Sequence, residues 1–179
     1  MIPNILVDCI VLPNKPLSNL EIIDIAKKLS LDGFRGVFLR DTLPKKSKLN
    51  ECGILNLDSS SGDGTHWVMW FKKCKDKFYF DSYGVQPPSE LIAYLKSLIF
   101  YNNERVQQNG EMFCGHLCLF TLKQRSLGNN LQACNKLFNI ILIKMSVDKF
   151  GRNGDRATPV YTGINIANLT NSLLLKRWR

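Results

Sequence analysis

Histidine is the scarcest chemically useful residue in this chain. There are two in 179 residues, His66 and His116, so any imidazole chemistry has only two candidates. No apolar stretch approaches the ~20 residues a membrane-spanning helix needs, so no membrane partner is expected. The opening stretch, MIPNILVDCIVLPNK, is apolar but lacks a basic n-region and a small-residue cleavage site, and is not read as a signal peptide. The six cysteines (9, 52, 74, 114, 118 and 134) show no paired spacing. Without a secretion signal, free thiols in an intracellular reducing compartment are expected rather than a disulfide framework. Cys114, His116 and Cys118 offer zinc ligands, but no second cluster completes a set of four, so no metal and no cofactor is expected. Acidic residues are outnumbered, 15 against 24 basic ones, for a net charge of +9. Such an excess attracts polyanions, nucleic acid among them. Any single lysine run is ordinarily a solvated face. There is no internal repeat and no low-complexity tract, and the length suits one domain.

The elements follow from local pattern. Residues 17–31 predict a helix: Ser18 with Glu21 forms a capping box, and Leu20, Ile23, Ala26 and Leu29 share a face. Residues 34–38 read as short and irregular, and 41–50 as a basic loop broken by Pro44. A short strand is expected at 53–57, a loop at 58–64 and a strand at 66–71 with large residues on both faces. A charged turn at 72–77 returns the chain through a strand at 78–80. A helix follows near 89–100, then an edge strand within 102–106. Two more helices are expected, from Cys114 to about 125 and over 130–147. Strands grouped between helices describe an α+β fold. Residues 1–150 are taken as the domain, with 151–179 a glycine-punctuated extension of no assigned role.

The stretch QQNGEMFCGHLC, residues 107–118, organises the chemistry. It sets Cys114 where a polar loop meets an apolar helix. The unsatisfied N–H groups and positive dipole end of that helix favour a thiolate, the reactive form of cysteine. A cysteine nucleophile needs a base, and the base needs a third group to hold its tautomer. His66, at a strand start after a glycine-bearing loop, is the candidate base; its plain reading is a strand-end histidine. His116 is two residues from Cys114 on one helix, where side chains do not face each other, so it is given structural or surface status. Asp81 ends the strand that pairs with the one beginning at His66, and antiparallel pairing brings those ends together. Its plain reading is an aspartate opening a turn. Asp58 and Asp63 are rival third members. Gln107 or Gln108 could serve an oxyanion beside the Cys114 N–H. Cys118 reads as core. Trp67 and Trp70 default to packing on opposite strand faces, with Trp67 placed to wall a substrate groove.

These residues also carry a resemblance. Gly64-Thr65-His66-Trp67, then Tyr79-Phe80-Asp81-Ser82-Tyr83-Gly84, then Gln107 and Cys114-Gly115-His116-Leu117-Cys118 resemble the adenain-type cysteine peptidases. That group holds the adenovirus maturation protease and relatives in Polinton/Maverick-like elements, and the SUMO-deconjugating proteases share its His, Asp, Gln, Cys order. Gly36-Val37-Phe38, Asp41-Thr42-Leu43-Pro44 and Asn56-Leu57-Asp58 resemble the Polinton-type members. The resemblance spans about residues 17–125. It implies a papain-like, adenain-like fold, a small mostly antiparallel sheet packed on helices with the nucleophile at a helix N-terminus. It implies Cys114 as nucleophile, His66 as base and Asp81 as its partner. The oxyanion glutamine is Gln107 by adenain-type spacing and Gln108 by that of the SUMO proteases; Gln107 is favoured. Family members cleave viral precursor proteins, often after small residues such as glycine. Adenain is stimulated by DNA and by a viral peptide, so these are the expected partners beside the protein substrate, with nucleus or virion as the setting. The rival expectations are an isopeptidase for a ubiquitin-like modifier and an inactive basic virion or nucleic-acid-binding protein.

Overall fold

The computed structural model describes residues 5–7, 10–13, 15–96, 99–108, 110–130 and 164–165. The helix expected over 130–147 and, apart from 164–165, the extension at 151–179 lie outside the described residues.

The capping box forms as its residues dictate. Ser18 Oγ accepts the Glu21 N–H at 3.3 Å, and the Glu21 carboxylate takes the Ser18 N–H at 2.9 Å. Helix α1 spans Asn19–Lys28, shorter than expected, because Ser30 turns left-handed at φ 50. Its buried side is Ile22, Ile25 and Ala26, continued by Leu29 just past its end, while Leu20 is 73% exposed. This corrects the expected face. A spacing of i, i+3, i+4, i+7 stays on one side of a helix, whereas steps of three drift around it.

Five strands make the main sheet: β3 (Phe34–Leu39), β4 (Asn50–Asn56), β5 (Trp67–Lys73), β6 (Asp76–Phe80) and β7 (Phe100–Tyr101), lying side by side in that order. The two central pairs, β4 with β5 and β5 with β6, are antiparallel; the outer pairs are parallel. Residues 34–38, expected to be irregular, are therefore a strand. The irregularity survives as a register shift between Phe34 and Val37, where Gly36 sits at φ 126. Helix α2 (Ser89–Leu95) stops earlier than expected because Lys96 is left-handed, and the edge strand forms at Phe100–Tyr101, ahead of 102–106. A second small sheet joins β1 (Ile5–Val7) to β2 (Ile10–Val11) and, in parallel, to β8 (Ile164–Asn165).

Side-chain alternation along β5 and β6 assigns the two faces. Met69, Phe78 and Phe80 pack with α1 and with α3 (Cys114–Ser126). Val68, Trp70 and Tyr79 pack with Leu91, Tyr94 and Leu95 of α2. Trp70 lies across Gly53, where a Cβ would come within 2.3 Å of the indole. Beneath it Glu51, fully buried, accepts from Arg35 at 2.9 Å, Tyr94 at 3.0 Å, the Lys48 N–H at 2.9 Å and Trp70 at 3.3 Å. Helices on both faces of a mixed sheet make this an α+β fold. Among the described residues, no helix is long and apolar enough to cross a membrane.

Candidate active site

His66 immediately precedes β5, and Asp81 immediately follows β6. The hairpin register aligns Met69 with Phe80, so the two ends meet at one edge of the sheet. His66 Nε2 lies 2.8 Å from Asp81 Oδ1. That carboxylate oxygen also takes the Tyr83 N–H at 2.8 Å. The backbone of Asp81 is clamped on both sides by Asn102, whose Oδ1 accepts the Asp81 N–H at 2.9 Å and whose amide donates to the Asp81 carbonyl at 2.6 Å. With Nε2 engaged, Nδ1 is the ring nitrogen left for the thiol of Cys114, whose pKa the neighbouring imidazole lowers. The imidazole stacks on Tyr83, with centroids 4.7 Å apart and planes at 26°, and Arg105 lies 4.9 Å above the same tyrosine ring.

Cys114 is the first residue of α3. Phe113 at the N-cap contributes no side-chain hydrogen bond, so the cap leaves the first N–H groups of the helix as donors. Burial pushes the Cys114 thiol up, but His66, the Trp67 backbone and the Gly115 N–H outweigh it, and the thiol sits below the usual 9.0. Burial likewise disfavours the His66 imidazolium. Hydrogen bonds and charge from Asp81 and Cys114 win there too, raising His66 from 6.5 to about 9. The two shifts describe one pair, thiolate with imidazolium. Gly115 allows α3 to seat this closely. A Cβ there would stand 3.3 Å from Leu17 Cβ and 3.3 Å from Trp67 Cδ1.

Cys114, His66 and Gln107 open into a cleft of about 660 Å³ whose apolar wall includes Leu17, Val37 and Trp67. Trp67 Nε1 donates to the Leu17 carbonyl at 2.9 Å, so the indole both walls the cleft and holds the segment leading into α1. Gln107 is buried, and Gln108 is exposed and outside the cleft lining. The Gln107 amide is oriented by Ser82, whose hydroxyl donates to its Oε1 at 2.9 Å. Its Nε2 donates to the Glu111 carbonyl and reaches the Tyr83 hydroxyl at 3.4 Å.

Other sequence candidates separate from this group. His116 is not at the surface. It is buried, Nε2 meets the Pro13 carbonyl at 2.7 Å, and burial lowers its pKa. Cys118 is fully buried with its thiol on the Trp67 carbonyl and its pKa driven well up by desolvation. Asp58 caps its own loop through the Ser59 and Gly64 N–H groups. Asp63 lines the cleft but has no contact with His66. The four described cysteines, 52, 74, 114 and 118, are free. No three His, Cys, Asp or Glu side chains among the described residues are grouped to hold a metal. Sequence reasoning assigned no site role to Tyr83, Asn102, Ser82 or Asn56. Asn56 Oδ1 pins the loop before His66 through the Asp58 and Thr65 N–H groups. Each of these acts through individual hydrogen bonds or a ring contact, for which periodicity has no signal.

No family model matches the sequence, and no curated protein matches it. Among solved structures, the crystal structure of an ASFV protease is similar, with a TM-score of 0.45 and 19% identity over 68% of this chain and 62% of that one. The chain thus spans less than two thirds of that neighbour's length.

Proposed function

We propose that this chain is a cysteine endopeptidase in which Cys114 is the nucleophile, His66 the acid–base group and Asp81 the group that holds the imidazole. The observation that carries the reading is the line Asp81–His66–Cys114, in which a thiol at a helix N-terminus with no side-chain cap neighbours an imidazole tied on its Nε2 to a carboxylate. In the proposed reaction the Cys114 thiolate attacks a peptide carbonyl carbon. The resulting oxyanion takes hydrogen bonds from the Cys114 N–H and from Gln107 Nε2, which gives up its long contact to Tyr83. His66 hands its proton to the departing amine as the carbon–nitrogen bond breaks, leaving a thioester. Water, deprotonated by His66, then hydrolyses the thioester and restores the pair. The cleft wall of Leu17, Val37 and Trp67 would receive the polypeptide.

The finer reading is maturation of precursor polypeptides of a DNA virus or virus-like element, in nucleus or virion, with DNA and a peptide as activators. The adenain-like motifs support it, and the net charge of +9 suits a polyanion. The test is turnover of fluorogenic Gly-Gly peptides by wild type, Cys114→Ala and His66→Ala, with and without duplex DNA. Cleavage by wild type and none by either variant is expected. Equal turnover in Cys114→Ala would reject the assignment. Reaction only with a ubiquitin-like protein bearing a C-terminal electrophile would move the reading to an isopeptidase.

A further inference from the structure

Residues two apart on extended backbone share a face; Tyr79 is on β6, and Asp81, two residues on, immediately follows that strand. Asp81 is 1% exposed, and its two carboxylate oxygens are treated very differently. Oδ1 accepts from His66 and from the Tyr83 N–H, each at 2.8 Å. Oδ2 is buried and accepts from nothing. A carboxylate enclosed in this way wants a donor on each oxygen, since an ionised group without partners is expensive to bury. One donor beside it is uncommitted. The Tyr79 hydroxyl is fully buried and also lacks a hydrogen-bond partner, and it feels the Asp81 carboxylate. Burial first, and then the nearby Asp81 and Cys118, hold that phenol in its protonated, donating form.

We propose that Tyr79 is a positioning residue whose hydroxyl is the donor for Asp81 Oδ2, keeping the carboxylate turned so that Oδ1 stays on His66 Nε2. The assignment rests on the reading of Asp81 as the group that holds the imidazole. Asn102 fixes the backbone of Asp81 but exerts no control over rotation of its side chain. That rotation is governed by the donors on the carboxylate, and the buried Tyr79 hydroxyl is the uncommitted donor for the oxygen that His66 does not take. A tilted carboxylate would support the imidazolium less well, and the thiolate of Cys114 would then form only at higher pH. The groups that titrate around this point are His66 ahead of β5, Tyr79 on β6, Tyr83 beyond it, and Cys114 and Cys118 on α3. Arg105 adds a fixed charge over Tyr83.

The substitution Tyr79→Phe removes one oxygen and keeps the packed ring. The rate of Cys114 alkylation by iodoacetamide, followed by mass spectrometry from pH 5 to 9, reads the pair directly. Tyr79→Phe is expected to slow Cys114 about tenfold at pH 6, a shift of one unit in the profile, and to converge on wild type near pH 9. In Asp81→Asn, adding Tyr79→Phe should change nothing further, because Tyr79 acts through that carboxylate. A merely structural tyrosine would lose rate equally at every pH, or lose it again in the Asp81→Asn background; either result overturns the proposal, as does a Tyr79→Phe profile superimposed on wild type. If wild-type Cys114 alkylates as an ordinary thiol throughout, the underlying reading of the site fails instead.

Discussion

Removing the His66 imidazole should cost Cys114 its reactivity below neutral pH, by an amount the site itself bounds. Desolvation is the largest single influence on Cys114 and pushes its thiol up. Of the influences that hold it down, His66 supplies both a hydrogen bond and a charge, and the remainder are backbone contacts at Trp67 and Gly115. His66→Ala therefore leaves a partly buried thiol with burial less opposed, and its pKa rises. A thiol at the ordinary value of 9.0 is about 0.1% thiolate at pH 6, since each unit below the pKa is a factor of ten. The wild-type pair is favoured at that pH because His66, raised to about 9, stays charged well past neutrality. A lowered thiol pKa also makes a weaker nucleophile, which returns roughly half of the gain on a logarithmic scale. The net expectation is a loss of at least about tenfold in the iodoacetamide rate at pH 6, narrowing as the pH approaches 9 and His66 would lose its proton in any case. Cys52 is an internal standard. Burial pushes it to about 12, so it should stay unreactive in both proteins. An alkylation rate at Cys114 within twofold of wild type at pH 6 would refute the thiolate–imidazolium argument.

Two further substitutions test what positions the pair. Gly115→Ala places a methyl group 3.3 Å from Leu17 Cβ and from Trp67 Cδ1, atoms with little freedom to give. Overpacking of this kind costs about 1–3 kcal/mol, so a lower denaturation midpoint together with slower Cys114 alkylation is expected; an unchanged midpoint would show that α3 is not seated by that contact. Glu51→Ala removes the buried partner of Arg35, Tyr94 and Trp70 and should cost about 3–5 kcal/mol, read by urea titration. Because that network lies beneath α2, on the sheet face opposite α3, the Cys114 pH profile of the folded variant should match wild type. A changed profile would mean the two faces are coupled.

Local pattern determined much about this protein. The Ser18–Glu21 capping box, the meander of β4, β5 and β6, the apolar run that makes α3, and the setting of Cys114 at its start are all written in neighbouring residues, because caps, alternation and helix termini are short-range matters. The nearness of His66 and Asp81 could also be argued from sequence, since antiparallel pairing across a short turn ties one strand's start to the other's end. Tertiary structure alone decided the rest. The buried face of α1 was read one step off at Leu20 because an amphipathic stripe names no partner until a sheet is laid against it. The strand at Phe34–Leu39 was missed because its pairing with β4 is parallel and crosses a long connection, leaving no hairpin signal. Gln107 and Gln108 are alike in sequence, and tertiary partners such as the hydroxyl of Ser82, 25 positions away in the chain, hold only the first of them in the cleft. The Asn102 clamp, the Tyr83 stack and the placing of the Tyr79 hydroxyl beside Asp81 belong to the same class. They are juxtapositions of residues that the fold brings together, and no periodicity announces them.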